Sequence, residues 1–399
     1  MNVKAVHHNR KSNEKLVSTK DFGLENAKKV QAFHKSFPEY SQTPLVSLDN
    51  LAKQFNVKGI YVKDESYRFG LNAFKVLGGS YSIGKYIAKR LGENIENLSY
   101  SKIVSDEVRE KLGDITFVTA TDGNHGRGVA WTANRLKQKS IVYMPKGSSE
   151  ERLNHILKLG ADASITDFNY DDAVRIADKK AKSCGGLLVQ DTAWDGYEEI
   201  PHWIMEGYTT MAYEITQQLG DTKPTHVFLQ AGVGAMAGAV TAFISDYYGE
   251  DRPIITIVEP DNAACIYKTA DKSDGNIHAV KGDMKTIMAG LACGEPCSIG
   301  WEFLRDYAEF FISMPDNIAA EGMRILGNPV EDDTKIISGE SGAAGFGLMS
   351  EAIRNPQLSW LKEQLKIDEN SVILCISTEG DTDKEHYRKV VWDGAYPTA

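Results

Sequence analysis

The sequence has no apolar run long enough to span a membrane, and its opening, MNVKAVHHNRKSNEK, lacks the apolar core of a secretory signal. A cytoplasmic location is the expectation. Positive charge is also short. Against 55 Asp and Glu stand only 45 Lys and Arg, a formal net charge of −10, which argues against nucleic acid as a partner because phosphate binding needs a basic patch. Cysteine is sparse and unpatterned: Cys184, Cys265, Cys293, Cys297 and Cys375 are odd in number and form no CxxC pair. Neither a disulfide framework nor a zinc site is indicated, and no metal is expected. Cys265 and Cys293 both follow the strand-like run IITIVEP, so a regulatory bridge between them is one reading, set against the rarity of cytosolic disulfides. Internal repeats and low-complexity linkers are missing as well.

What is present is a 399-residue chain with 42% hydrophobic residues, enough for a large core in two or three domains. Apolar runs ending in turn residues recur: TFVTATDG, SIVYMPKG, ASITD, LLVQDT, THVFLQAG, IITIVEP and SVILCISTEG, with helical stretches between. Strands alternating with helices imply right-handed crossovers and parallel sheets, hence an α/β protein. A smaller sheet is expected within residues 85–191, inserted in a larger domain made of residues 1–84 and 192–399. The polar residues 1–40 read as an N-terminal arm that would wrap a partner subunit.

Lys75, in KDESYRFGLNAFKVLGGSY, opens a helix instead of decorating one. Asn72 is placed to cap that helix, and Leu77, Tyr81, Gly84, Ala88 and Leu91 follow at helical spacing. A helix N-terminus disfavours an ammonium, so a lysine there is a candidate for a lowered pKa or a covalent imine. An ordinary solvated lysine is the bland alternative, and two further motifs weigh against it. In TFVTATDGNHGRGVAW a β-branched run, Thr116 to Thr121, meets the turn DGNHG, after which Val129, Thr132, Ala133 and Leu136 mark an amphipathic helix. The turn therefore lies at a strand's carboxyl end, where open parallel sheets bind ligands. In THVFLQAGVGAMAGAVTAF the strand residues Val227 to Leu229 run into Gly232, Gly234 and Gly238. Such a loop offers backbone N–H groups to a phosphate, although close helix–sheet packing also selects glycine. It has neither the Lys-Ser/Thr pair of a nucleotide P-loop nor the spacing of a dinucleotide fingerprint, so one monophosphate suits it better and a nicotinamide-binding domain does not.

NAFKVLGG, TDGNHG, QAGVGAMAG and STEGDTD, in that order, resemble the pyridoxal-phosphate enzymes of fold type II, the tryptophan synthase β-subunit type. KDESYRFGLNAFK, TDGNHGRGVAW, VQDTAW, MAGLACGEP and ISGESGA further resemble the diaminopropionate ammonia-lyase branch of that group, and the likeness runs from about Pro44 to the C-terminus. The resemblance implies two open parallel-sheet domains with the active site in the cleft between them, pyridoxal 5'-phosphate as cofactor, and a homodimer. It implies Lys75 as the Schiff-base lysine, Asn124 near the cofactor's 3′-oxygen, and Gly232, Val233, Gly234, Ala235 and Gly238 around the phosphate. Either Ser377 or Thr378 would meet the pyridine nitrogen, a neutral hydroxyl that favours elimination over transamination.

Two carboxylates bear on the substrate. In amino-acid lyases of this fold the turn before the asparagine commonly reads SGNHG and holds the substrate carboxylate; here Thr121, Asp122 and Gly123 form it, with Asp122 in the serine's place. An aspartate facing a carboxylate about 4 Å away would be repelled by about 4 kcal/mol at an effective dielectric of about 20. It must be aimed at something cationic or protonated, unless it only caps the helix. Asp191, in VQDTAWDGY, ends another strand of the small sheet and would reach the same cleft, with strand-end capping as the plainer role. A diamino acid supplies the extra ammonium. The expected reaction is α,β-elimination of 2,3-diaminopropionate to pyruvate and two ammonia, an amino-acid-degrading step, with Lys75 as one base and Asp122 or Asp191 on the opposite face as another. Bases on both faces would admit both D and L isomers. The rivals are a serine or threonine dehydratase of the same fold, which gives no reason for two cleft aspartates, and a non-catalytic cofactor-binding protein, which should lack the lysine or base. His125, inside the turn, is expected to be held by backbone contacts and not to act as a base.

Overall fold

Eleven short strands carry the architecture, which a computed structural model describes over residues 2–8, 15–121 and 123–398. They are β1 (Lys4–His7), β2 (Leu45–Ser47), β3 (Gly59–Asp64), β4 (Thr116–Ala120), β5 (Lys139–Met144), β6 (Asp162–Ile165), β7 (Leu187–Leu188), β8 (His226–Gln230), β9 (Ile254–Pro260), β10 (Phe310–Met314) and β11 (Val372–Ser377). Seven form one sheet in the order β1-β10-β9-β8-β11-β3-β2, and four form a second in the order β6-β5-β4-β7.

The four-stranded sheet is parallel throughout. The larger one is parallel in its centre, but its two edge strands, β1 and β2, run antiparallel to their neighbours. Expectation and structure differ here for a physical reason: β2 and β3 are joined by one short helix, Asp49–Phe55, and β1 reaches its partner from the chain's start, so neither edge strand enters through a βαβ crossover. The central strands β8, β10 and β11 are buried along their whole length, which explains their unbroken apolar runs. Part of the expected arm packs on its own chain: β1 pairs with β10, and helix Leu24–Lys35 packs against helix Glu199–Leu219. Among the described residues no helix is long and apolar enough to cross a membrane.

Helix Val76–Leu91 ties the two sheets together. Gly207 of helix Glu199–Leu219 lies so close to it that a Cβ there would stand 2.5 Å from the Leu77 carbonyl oxygen. On its other side Gly128, in helix Asn124–Arg135, would place a Cβ 2.8 Å from Val76 Cα. Larger residues at either position would force a helix away, so these glycines allow three helices to converge directly beyond Lys75. Asn72 does not cap the helix as expected: it sits at φ +58°, and its side-chain amide donates to Asp381 at 3.1 Å. Lys75 itself holds the capping position, with helical φ and ψ and no side-chain cap.

Candidate active site

The functional side chains stand at the carboxyl ends of parallel strands, where the unpaired ends of two sheets face one cavity of about 1140 Å³. β8 runs into Gly232 to Ala235, β11 into Thr378 and Glu379, and β7 leads to Asp191, all of which line the cavity together with Lys75 and Asn124.

Lys75 Nζ lies 2.6 Å from Asp191 Oδ2. The aspartate is 4% exposed and also accepts from the Tyr170 hydroxyl at 3.2 Å. Burial alone would push its carboxyl up, but the Lys75 charge, His125 and these hydrogen bonds more than offset that and hold it well below the usual carboxylate range. Asp191 therefore stays ionised. His125 behaves as expected: its Nε2–H donates to the Val189 carbonyl at 2.8 Å, and its Nδ1 is 3.9 Å from Asp191.

The glycine loop precedes helix Ala235–Tyr248, whose capping residue Gly234 has φ +91° and contributes no side-chain cap. The first-turn N–H groups thus face the cavity from a helix start, a ready anion site. Gly238 lies a turn further on, where a Cβ would come within 2.8 Å of Gly300 Cα; its smallness serves helix packing against Ser298–Tyr307.

Among the described residues Thr121, Gly123, Gly238 and Ser377 do not form the cavity wall. Thr121 supports it from behind: its hydroxyl accepts from the backbone N–H of Gly123 at 2.9 Å and of Gly126 at 3.0 Å, and so caps helix Asn124–Arg135. Gly123 faces Arg152, whose side chain would meet its Cβ at 3.1 Å. Ser377 turns away and donates to Ser338 Oγ at 2.8 Å, whereas Thr378 lines the cavity and accepts from Gln230 Nε2 at 3.0 Å. Asp122 lies outside the described residues. Cys265 and Cys293 are both buried and form no disulfide, with Cys265 directed at the Gly232 carbonyl at 3.6 Å.

Sequence reasoning missed several wall residues. Glu379 accepts from the Asn124 amide and, at 3.2 Å, from the Ser341 backbone N–H. Glu340 bonds His386, and the irregular segment from Gly282 to Cys293 closes the large-sheet side. Glu379 sat in the quoted motif STEGDTD directly after a strand, which was the available signal; the segment 282–293 has no periodicity to find.

A lysine opposite an anion-binding helix start, in a cleft between two parallel-stranded sheets, defines a fold type II pyridoxal-phosphate enzyme. The chain belongs to the family described as pyridoxal-phosphate dependent enzyme, whose pattern it matches over residues 37–378. It is 52% identical to diaminopropionate ammonia-lyase of Escherichia coli (strain K12) over 380 residues, 95% of this chain and 94% of that one. The holo crystal structure of the Escherichia coli diaminopropionate ammonia lyase superposes with a TM-score of 0.93 at 48% identity, covering 100% of this chain and 98% of the other. The same enzyme in complex with an aminoacrylate-PLP azomethine reaction intermediate gives 0.91 at 48% identity, with 100% and 99% covered. Pyridoxal phosphate is the cofactor, and the residues present suit it: an amine for its aldehyde, uncapped backbone N–H groups for its phosphate, and a neutral hydroxyl, Thr378, on the wall.

Proposed function

We propose that the protein eliminates ammonia from 2,3-diaminopropionate, and that one water then hydrolyses the unsaturated amino acid left behind to pyruvate and a second ammonia. The observation that carries the proposal is the Lys75–Asp191 pair inside this cavity, in a chain 52% identical to diaminopropionate ammonia-lyase. Bound pyridoxal phosphate supplies an electron sink that makes the α-proton of an attached amino acid acidic. Lys75 would hold the cofactor through Nζ, the amine that suits its aldehyde, and the same atom is placed to take up the substrate's α-proton when it is free. Asp191 keeps Nζ oriented and, from the wall, offers an anion to the substrate's second ammonium until it leaves. Asp122 or Asp191 would act as a second base on the face opposite Lys75, so that each isomer, D or L, would meet a base. Gly232 to Ala235 hold the phosphate, Asn124 the 3′-oxygen, and Thr378 the pyridine nitrogen, its O–H donating there while its oxygen accepts from Gln230.

The reading extends to organisation. Residues 85–191 form the substrate-binding domain and residues 1–84 with 192–399 the cofactor-binding domain, supported by the confinement of β4 to β7 to the first span. Two copies assemble as a homodimer in the cytoplasm, on the strength of the family resemblance.

The test is pyruvate release from D- and L-diaminopropionate, serine and threonine measured side by side. Diaminopropionate should be turned over fastest. Faster turnover of serine would move the proposal to a dehydratase.

A further inference from the structure

Glu379 has no part in the chemistry above, yet it touches the segments that carry Lys75, Asn124 and Ser341. It is 1% exposed and lines the cavity. Its backbone bridges Ala73, two residues before Lys75, and its carbonyl accepts from Gly339 N–H at 3.0 Å. One carboxylate oxygen accepts from the Ser341 N–H at 3.2 Å, and the other from the Asn124 amide. Asn124 begins a helix of the small-sheet side, while Glu379 follows β11 of the large sheet, so this contact crosses the cleft.

We infer that Glu379 is a positioning residue that orients the Asn124 amide toward the cofactor. An asparagine amide has two nearly isosteric ends, one donating and one accepting. A carboxylate beside it accepts only from the NH₂ end and repels the carbonyl end, so the flip is decided. Asn124 then has its second N–H, on the same nitrogen, to give to the cofactor's 3′-oxygen, and it is polarised by an anion behind it. Because Glu379 and Lys75 sit on paired backbone segments, the same residue keeps that donor in register with the reactive lysine. The inference rests on Lys75 and Asn124 contacting the cofactor, as proposed above.

The experiment compares the holoenzyme with Glu379→Gln, Asn124→Ala and the double variant, recording absorbance and circular dichroism of the cofactor band at pH 7. Glutamine is isosteric but can turn either end to Asn124. E379Q should change the ratio of the visible to the near-ultraviolet cofactor band by about twofold or more, N124A should change it in the same direction, and the double variant should add nothing to N124A alone. A wild-type spectrum in E379Q, or effects that multiply in the double variant, would overturn the inference. Should E379Q fail to fold, Glu379→Asp decides the matter: it keeps the charge but withdraws it by one methylene, and an unchanged spectrum counts against us. A colourless unmutated enzyme would instead sink the underlying reading of Lys75.

Discussion

Lys75 Nζ and Asp191 Oδ2 stand 2.6 Å apart, although one residue opens a helix after β3 and the other follows a strand of the other sheet. The pair joins the two sheets across the cleft at the point where chemistry is expected. An ammonium at a helix N-terminus is unfavourable by itself, and a buried carboxylate is too; each offsets the other's cost.

Asp191→Asn removes the charge and keeps the shape. Turnover of diaminopropionate should fall by roughly a hundredfold or more, the usual scale for a lost acid or base, while the cofactor's visible absorbance persists. If Asp122 serves the other face, D122N and D191N should differ in which isomer suffers more. Small and equal losses on both isomers would remove that division of labour.

Gly234→Asp tests the phosphate site. Position 234 has φ +91°, and a Cβ there would lie 3.0 Å from Ile266 Cδ1, so any side chain is strained, and this one adds an anion where the helix start faces the cavity. Titration of the apoprotein with cofactor should show affinity reduced by at least about a hundredfold. Unchanged affinity would mean that the loop serves only to pack helix on sheet.

Much of this was legible in advance because the motifs are local. Lys75, the strand into DGNHG and the glycine loop each read from a few neighbouring residues, and β4, β8 and helix Ala235–Tyr248 fall where the runs place them. Long-range relations were not legible. Nothing in the spacing tells that Thr121 caps its own turn, that Asn72 is taken by Asp381, or that Glu379 reaches Asn124 across 255 residues of chain. Which of Ser377 and Thr378 faces the cavity was not legible for the same reason: adjacent residues at a strand's end point to opposite sides, and only the sheet's setting says which side is the cavity.

Away from the cleft, Glu214 lies fully buried between two cations, with Arg68 Nη2 at 2.7 Å and Lys63 Nζ at 2.8 Å. Burial pushes its carboxyl up, and the two cations more than offset this, so the group is held below its ordinary range. Its contribution is present above the unfolded carboxyl's pKa and is lost as pH falls. Glu214→Gln leaves Glu65 as the carboxylate facing Arg68 and Lys63 and should cost about 3–5 kcal/mol in urea unfolding at pH 7. A loss under about 1 kcal/mol would show that water or a rearranged partner compensates the cations.

His34 gives a different pH window. It is fully buried; its Nε2–H donates to the Leu77 carbonyl at 3.0 Å, and its Nδ1, 2.7 Å from the Thr210 hydroxyl, accepts from it. The ring is therefore neutral. Burial and the nearby Arg68 charge push its pKa from 6.5 down to about 3. Between those values the unfolded chain binds more protons than the folded one, so stability rises with pH up to about 6.5 and falls as the solution is acidified. At pH 4.5 the cost should be roughly 3 kcal/mol relative to pH 7, from about 1.4 kcal/mol per unit. This loss begins above the carboxylate range and is separable from that of Glu214. In His34→Gln, which cannot take up the proton, unfolding free energies at pH 7 and pH 4.5 should lie closer together than in the unmutated protein by about that amount. Equal acid sensitivity in the two proteins would show that His34 is not the group that titrates.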